Sequence, residues 1–170
     1  KDSVIHYFAR LNKEVKESYF GKLVGENVNG WMASMPGKPM PNFQGTTIQG
    51  KPFQLKDLKG KFVLLDFWGS WCAPCITEIP ILKSLEKLNQ GKLAVVGLIC
   101  KDEKLDALNI INKYKITATQ LYSTTTNYGK LFGIRDYPSK ILLDKNGVVV
   151  KVFTGYSDAN FKEIQSLINQ

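Results

Sequence analysis

Ile5, Phe8, Leu11, Val15 and Tyr19 recur at spacings of three and four, which predicts one amphipathic N-terminal helix that Gly21 would end. The stretch from Leu23 to Pro41 mixes Gly, Asn, Met and Pro around Trp31 and reads as a linker. The expected division is therefore residues 1–36, helix and linker, and residues 37–170, the main domain, with the helix docked on that domain by its apolar stripe. From Phe43 to Leu55 an alternating pattern around Gly45 and Gly50 predicts a short hairpin. Phe62 to Phe67 is apolar on both faces except at Asp66, as in a central strand covered on both sides. Ile76, Ile79, Leu82, Leu85 and Leu88 recur every third residue and predict a helix that starts inside the sequence Trp71-Cys72-Ala73-Pro74-Cys75 and ends near Gly91. Further along come a buried strand at Leu93 to Cys100, a helix carrying Leu105 to Tyr114, a strand at Thr119 to Tyr122 and a helix near Tyr128 to Phe132. Lys140 to Leu143 and Val148 to Thr154 flank Asn146-Gly147 and predict an antiparallel hairpin, before a closing helix with Phe161, Ile164, Leu167 and Ile168. Strands alternating with helices indicate an α/β fold on a mixed sheet.

At 170 residues and 44% hydrophobic content the chain supports one core. No apolar run approaches the roughly 20 residues of a membrane-spanning helix. Because the sequence opens at Lys1, a signal peptide, lipid anchor or upstream domain is a natural expectation for the full protein. The net charge of +8 comes from 21 lysines and only two arginines, Arg10 and Arg135, scattered along the chain. Nucleic-acid readers cluster arginine in stripes, so no nucleic-acid partner is expected. A single histidine, His6, argues against Ser-His-Asp or multi-histidine metal chemistry, and no phosphate-cradling glycine loop is present. No cofactor and no metal are expected.

The chemistry concentrates in Cys72 and Cys75. A C-x-x-C at the step from a buried strand into a helix puts the first thiol among unpaired backbone N–H groups at the positive end of the helix dipole, which favours its thiolate. Cys75, one helical turn on, is placed to resolve a mixed disulfide formed by Cys72. Half of a zinc site and two inert core cysteines are the alternatives; Pro74 between the thiols and the adjacent Trp71 shape an exposed turn and disfavour the second. Asp66 is a lone acid on an apolar strand, so its proton should be held unusually tightly and would be available to Cys75, unless a lysine or backbone N–H satisfies it. Glu78 lies three residues after Cys75, close to one turn, and is either a tuning group or a solvated surface acid. Cys100, the third cysteine, reads as a packing residue at a strand end. Trp68 and Trp71 flank the motif as either an apolar lip or core.

DFWGSWCAPC resembles the active-site stretch of thioredoxins, and WCAPCITEIP resembles the C-x-x-C-x-x-E-x-P form of the TlpA/ResA-like thiol-disulfide oxidoreductases, relatives of the AhpC/TSA-Redoxin group. GKPMPNF and YPSKILLDKNGVVVKVFTG extend the resemblance from about Gly37 to the C-terminus. It implies a thioredoxin fold, a mixed central sheet flanked by helices, with an inserted α-β unit, an N-terminal hairpin and an N-terminal helical extension. It further implies catalytic Cys72 and Cys75 tuned by Asp66 and Glu78, with Trp71, Ala73, Pro74, Tyr137 and Pro138 meeting the substrate. Pro138 matches the cis-proline that faces the C-x-x-C in this fold, and Tyr137 stands where related proteins carry Thr, Val or Ile. The implied protein is extracytoplasmic, of the periplasm or cell envelope, and anchored through a removed N-terminal segment; the chain itself is expected to be a monomer. It would reduce disulfides in partner proteins, as in cytochrome c biogenesis, and take electrons from a membrane or thioredoxin-like reductase. The other directions open to this fold are a disulfide-forming oxidant, an isomerase and a redox-inert binding module.

Overall fold

The computed structural model describes residues Lys1–Gln170, and its centre is a five-stranded sheet in the order β5-β4-β3-β6-β7. Strands β3 (Phe62–Trp68), β4 (Leu93–Ile99) and β5 (Thr119–Leu121) are parallel, and β6 (Ser139–Leu143) and β7 (Val149–Thr154) complete the sheet antiparallel. All residues of β3 after Phe62 are buried, as its two-sided apolar pattern requires. The β6-β7 reversal turns at Asp144 to Gly147. Asp144 Oδ1 accepts from the N–H groups of Asn146 and Val148, and Gly147 takes a φ of 81°.

Alternation along the strands sorts side chains onto two faces. On one, Leu64, Val95, Leu142 and Phe153 pack under helices α4 (Ala73–Leu88) and α7 (Asp158–Ile168), through Leu82, Leu85, Phe161, Ile164 and Ile168. On the other, Leu65, Phe67, Val96, Leu98 and Ile141 pack under the hairpin β1 (Gln44–Thr46) and β2 (Pro52–Gln54), a 3-10 turn at Leu55–Leu58, and the short helix α6 (Tyr128–Leu131). Ala107 and Ile111 of α5 (Lys104–Tyr114) close a third cluster around Trp68, Cys72 and Cys75. The hairpin joins the edge of β5 through Ile48 N–H to Gln120 O at 2.8 Å and Tyr122 N–H to Thr46 O at 3.1 Å.

The N-terminal segment differs from its sequence expectation. In place of one helix and a linker there are three helices, α1 (Asp2–Arg10), α2 (Lys13–Glu17) and α3 (Tyr19–Ala33). The breaks fall at good N-caps: Asn12 accepts from Val15 N–H and Ser18 from Gly21 N–H. Of the expected stripe only Ile5 and Phe8 are half-buried, and Leu11, Val15 and Tyr19 are exposed. The segment that reads as a linker is most of α3. It docks on the α6 region through its glycines: a Cβ at Gly30 would lie 2.6 Å from the Gly133 nitrogen. Glu26 pairs with Lys130 at 2.6 Å, and Arg135 donates to Asn27 at 2.8 Å. No helix of the chain is long and apolar enough to cross a membrane.

Candidate active site

The C-terminal end of β3 delivers Trp68, and four residues later Cys72 caps α4, its Sγ accepting from Cys75 N–H at 3.4 Å. The two sulfurs are joined in a disulfide. Ala73 and Pro74 form the first turn of α4, where a proline ring costs no hydrogen bond. The loop before Cys72 is tied to the loop after β4: Ser70 donates from its backbone and hydroxyl to the two oxygens of Asp102, at 2.5 and 2.7 Å, and the Trp71 indole donates to Cys100 O at 3.1 Å. Cys72 is 4% exposed and Cys75 2%, while Trp71 beside them is half exposed.

The Tyr137-Pro138 bond is cis, as the resemblance implies. The Tyr137 ring meets Trp71 edge-on at 5.2 Å between centroids and packs on the cluster containing both cysteines. The Tyr137 N–H and C=O make no hydrogen bond within the chain, whereas the Pro138 carbonyl is taken by Gly155 N–H. The two tryptophans divide the roles left open by the sequence. Trp68 is core, donating to Gln120 Oε1 at 2.8 Å, and Trp71 forms the exposed lip. Cys100 is free and buried, and burial pushes its thiol up to about 11, the state of an unreactive packing residue.

Behind the disulfide, one row of the sheet runs Gln120, Gly97, Asp66, Lys140 and Phe153 across all five strands. Asp66 and Lys140 are thus direct cross-strand partners on the face that α4 covers, and Glu78 of α4 descends onto them. Lys140 Nζ lies 2.5 Å from Glu78 Oε1 and 4.0 Å from Asp66 Oδ1. All three are buried, at 7% exposure for Asp66, 0% for Glu78 and 2% for Lys140, and Glu78 Oε2 has no partner. Two carboxylates share one cation out of water, so both hold their protons more tightly than usual. Burial raises Asp66 to about 6 against the pull of Lys140. Burial first, then the neighbouring Asp66 charge, raises Glu78 to about 7, again against Lys140. Glu78 is therefore no surface acid. Asp66 and Cys75 line a common cavity of about 30 Å³, room for one or two waters, with Trp68, Ile79 and Gln120.

Lys140 is the site residue that sequence reasoning missed. It reads as the polar start of an apolar strand, and its only signal is a charge directly before the apolar run Ile141–Leu143, two residues after Pro138. No cluster of His, Cys, Asp and Glu has the arrangement of a metal site, which disfavours the half-zinc alternative for the cysteine pair.

The Redoxin family matches residues 35–168. The chain is 34% identical over 120 residues to the thiol-disulfide oxidoreductase ResA of Bacillus thuringiensis (strain Al Hakam), covering 70% of this chain and 69% of that protein. It is 33% identical over 121 residues to ResA of Bacillus subtilis (strain 168), covering 70% and 67%. A thiol:disulfide interchange protein of the thioredoxin family from Chlorobium tepidum TLS superposes with a TM-score of 0.70 at 28% identity, over 80% of this chain and 98% of that one. With the C-x-x-C capping a helix, a cis-proline beside it and buried acids behind it, the chain belongs to the Redoxin family as a thiol-disulfide oxidoreductase of the ResA type.

Proposed function

We propose that the protein works in the reducing direction, handing two electrons from the Cys72-Cys75 dithiol to disulfides of partner proteins outside the cytoplasm, and is re-reduced by a membrane or thioredoxin-like donor. The observation that carries this reading is the pair of buried acids behind the dithiol. A carboxylate close to a thiol opposes its thiolate, which destabilises the reduced form and makes the couple a better electron donor.

In the reduced protein the Cys72 thiolate, favoured by the N-terminus of α4, attacks a partner disulfide. One partner sulfur leaves as a thiolate and the other stays bonded to Cys72. Cys75 then loses its proton and attacks Cys72 Sγ, releasing the second partner thiolate and closing the disulfide. The free Tyr137 N–H and C=O, beside Trp71, offer an extended substrate segment two backbone hydrogen bonds, which give affinity without demanding a sequence.

The test is insulin reduction by the pre-reduced protein. Disulfide cleavage is expected from the wild type, none from Cys72→Ser, and a trapped mixed disulfide from Cys75→Ser. An inert wild type contradicts the reading.

A further inference from the structure

Three ionisable side chains lie enclosed between the sheet and α4, and their count does not balance: Asp66 and Glu78 against Lys140. The groups that face Lys140 come from every element around it. Asp66 lies opposite on β3, Glu78 above on α4, the Phe161 ring of α7 at 5.2 Å from Nζ, and Phe153 beside it on β7. Tyr156, hydrogen-bonded to Asp158 at 3.3 Å, is near enough to feel the charge of Glu78. Lys140 is the one cation within ion-pair distance of the two acids.

We propose that Lys140 is the positioning residue of the exchange site: it keeps one of the two acids ionised behind Cys75 near neutral pH, so that the resolving thiol has a base to receive its proton. This rests on the dithiol reading given above. Without Lys140 the two acids would have no cation within ion-pair distance, and two uncompensated carboxylates cannot both stay ionised out of water. Burial without a counter-ion would also hold the proton of the second acid more tightly, so the carboxylate able to accept is depleted near neutral pH. With Lys140, one carboxylate, one carboxylic acid and one ammonium sum to zero charge. The Cys75 Sγ–H bond then breaks toward the carboxylate and both acids become protonated. The Cys75 sulfur bonds to Cys72 Sγ, and the bond from Cys72 to the partner sulfur breaks, its electron pair leaving on that sulfur. The cavity shared by Asp66 and Cys75 gives the proton a path of one or two waters, and the carboxylate of Glu86, which lines the same cavity, provides its outlet.

Lys140 also fixes the geometry that this transfer needs. It joins β6, directly after the cis-proline loop, to α4, whose first turn carries both cysteines, so the acids are held against the helix that presents Cys75.

The test is a stopped-flow measurement of disulfide closure, mixing reduced protein with oxidised glutathione and following Trp fluorescence from about pH 5 to about pH 9. In Lys140→Met the limb on which the rate rises with pH should move up by about one unit or more, a loss of roughly tenfold at pH 7. Infrared spectra should show the protonated carboxyl band persisting to higher pH than in the wild type. Glu78→Gln/Lys140→Met removes one charge of each sign and serves if the single variant does not fold; its limb should also move up. An unmoved limb and an unmoved carboxyl band in whichever of these variants folds overturn the proposal alone. A wild type that does not exchange with glutathione at all overturns the dithiol reading and the proposal with it.

Discussion

Asp66 and Lys140 face each other across strands β3 and β6, yet the Lys140 ammonium sits closer to Glu78, at 2.5 Å, than to Asp66, at 4.0 Å. The cation sits nearer the helix than its own strand row, and the buried oxygens of the two acids are held by its charge with no other hydrogen-bond partner for Asp66 Oδ1. This three-way sharing makes the site sensitive to pH.

The stability of the fold should carry that signature. Unfolded, Asp66 and Glu78 give up their protons near their ordinary values of 3.8 and 4.5, whereas the folded protein holds them to about 6 and about 7. Between those values the native state binds more protons than the unfolded chain, so these two groups lower stability as pH rises from about 4 to about 7 and add no further change above that. Asp66→Asn removes one acid and relieves the other. Relative to wild type it should gain stability between about pH 4 and about pH 7 in urea unfolding. A difference between the two proteins that is the same at both pH values contradicts this.

Single acid variants should shift the rate profile in the opposite direction to loss of Lys140. Glu78→Gln or Asp66→Asn leaves one carboxylate beside one cation, and the remaining acid ionises at lower pH. The rising limb of disulfide closure should move down, and the plateau rate should fall roughly tenfold because the base is weaker. Unchanged plateau rates in both variants would remove these acids from proton transfer.

Trp71 and Tyr137 form an aromatic pair packed on the cluster of the cysteines, with Trp71 half exposed. Tyr137→Thr should uncover Cys72, speed its alkylation in the reduced protein and change KM for a protein disulfide several-fold, with the reduction potential nearly constant. A shifted potential with unchanged KM would assign Tyr137 to the redox couple instead of the substrate.

Gly97 lies next to Asp66 in the sheet row, and any Cβ there would collide with the Gln120 side chain. Gly97→Ala should cost about 1–3 kcal/mol in denaturant unfolding, by forcing Gln120 away from its 2.8 Å bond to the Trp68 indole. A neutral substitution would mean that Gln120 moves freely and does not hold the cavity wall.

The sheet and its helices were legible because their periods are clean: two-sided apolar runs for β3 and β4, a three-residue repeat for α4, an Asn-Gly reversal between β6 and β7. The helix α3 was not, because Gly21, Gly25 and Gly30 read as loop by helix propensity while serving close approach to α2, to the Phe8 ring and to Gly133. The cysteine pair could be named from spacing, Asp66 as the lone acid of an apolar strand, and Glu78 as an acid one turn after Cys75 whose role the spacing left open. Lys140 could not, because its meaning depends on strand register: only the pairing of β3 with β6 puts it opposite Asp66, and that pairing spans more than 70 residues of chain.

The reduction potential of the Cys72-Cys75 couple tests the central claim most directly, measured by equilibration in dithiothreitol or glutathione redox buffers with Trp fluorescence as the readout. A value near that of thioredoxin, about −270 mV, or lower is the result predicted for a reductant with buried acids behind its dithiol. A value near about −120 mV would make the protein an oxidant and contradict the proposed direction of electron flow.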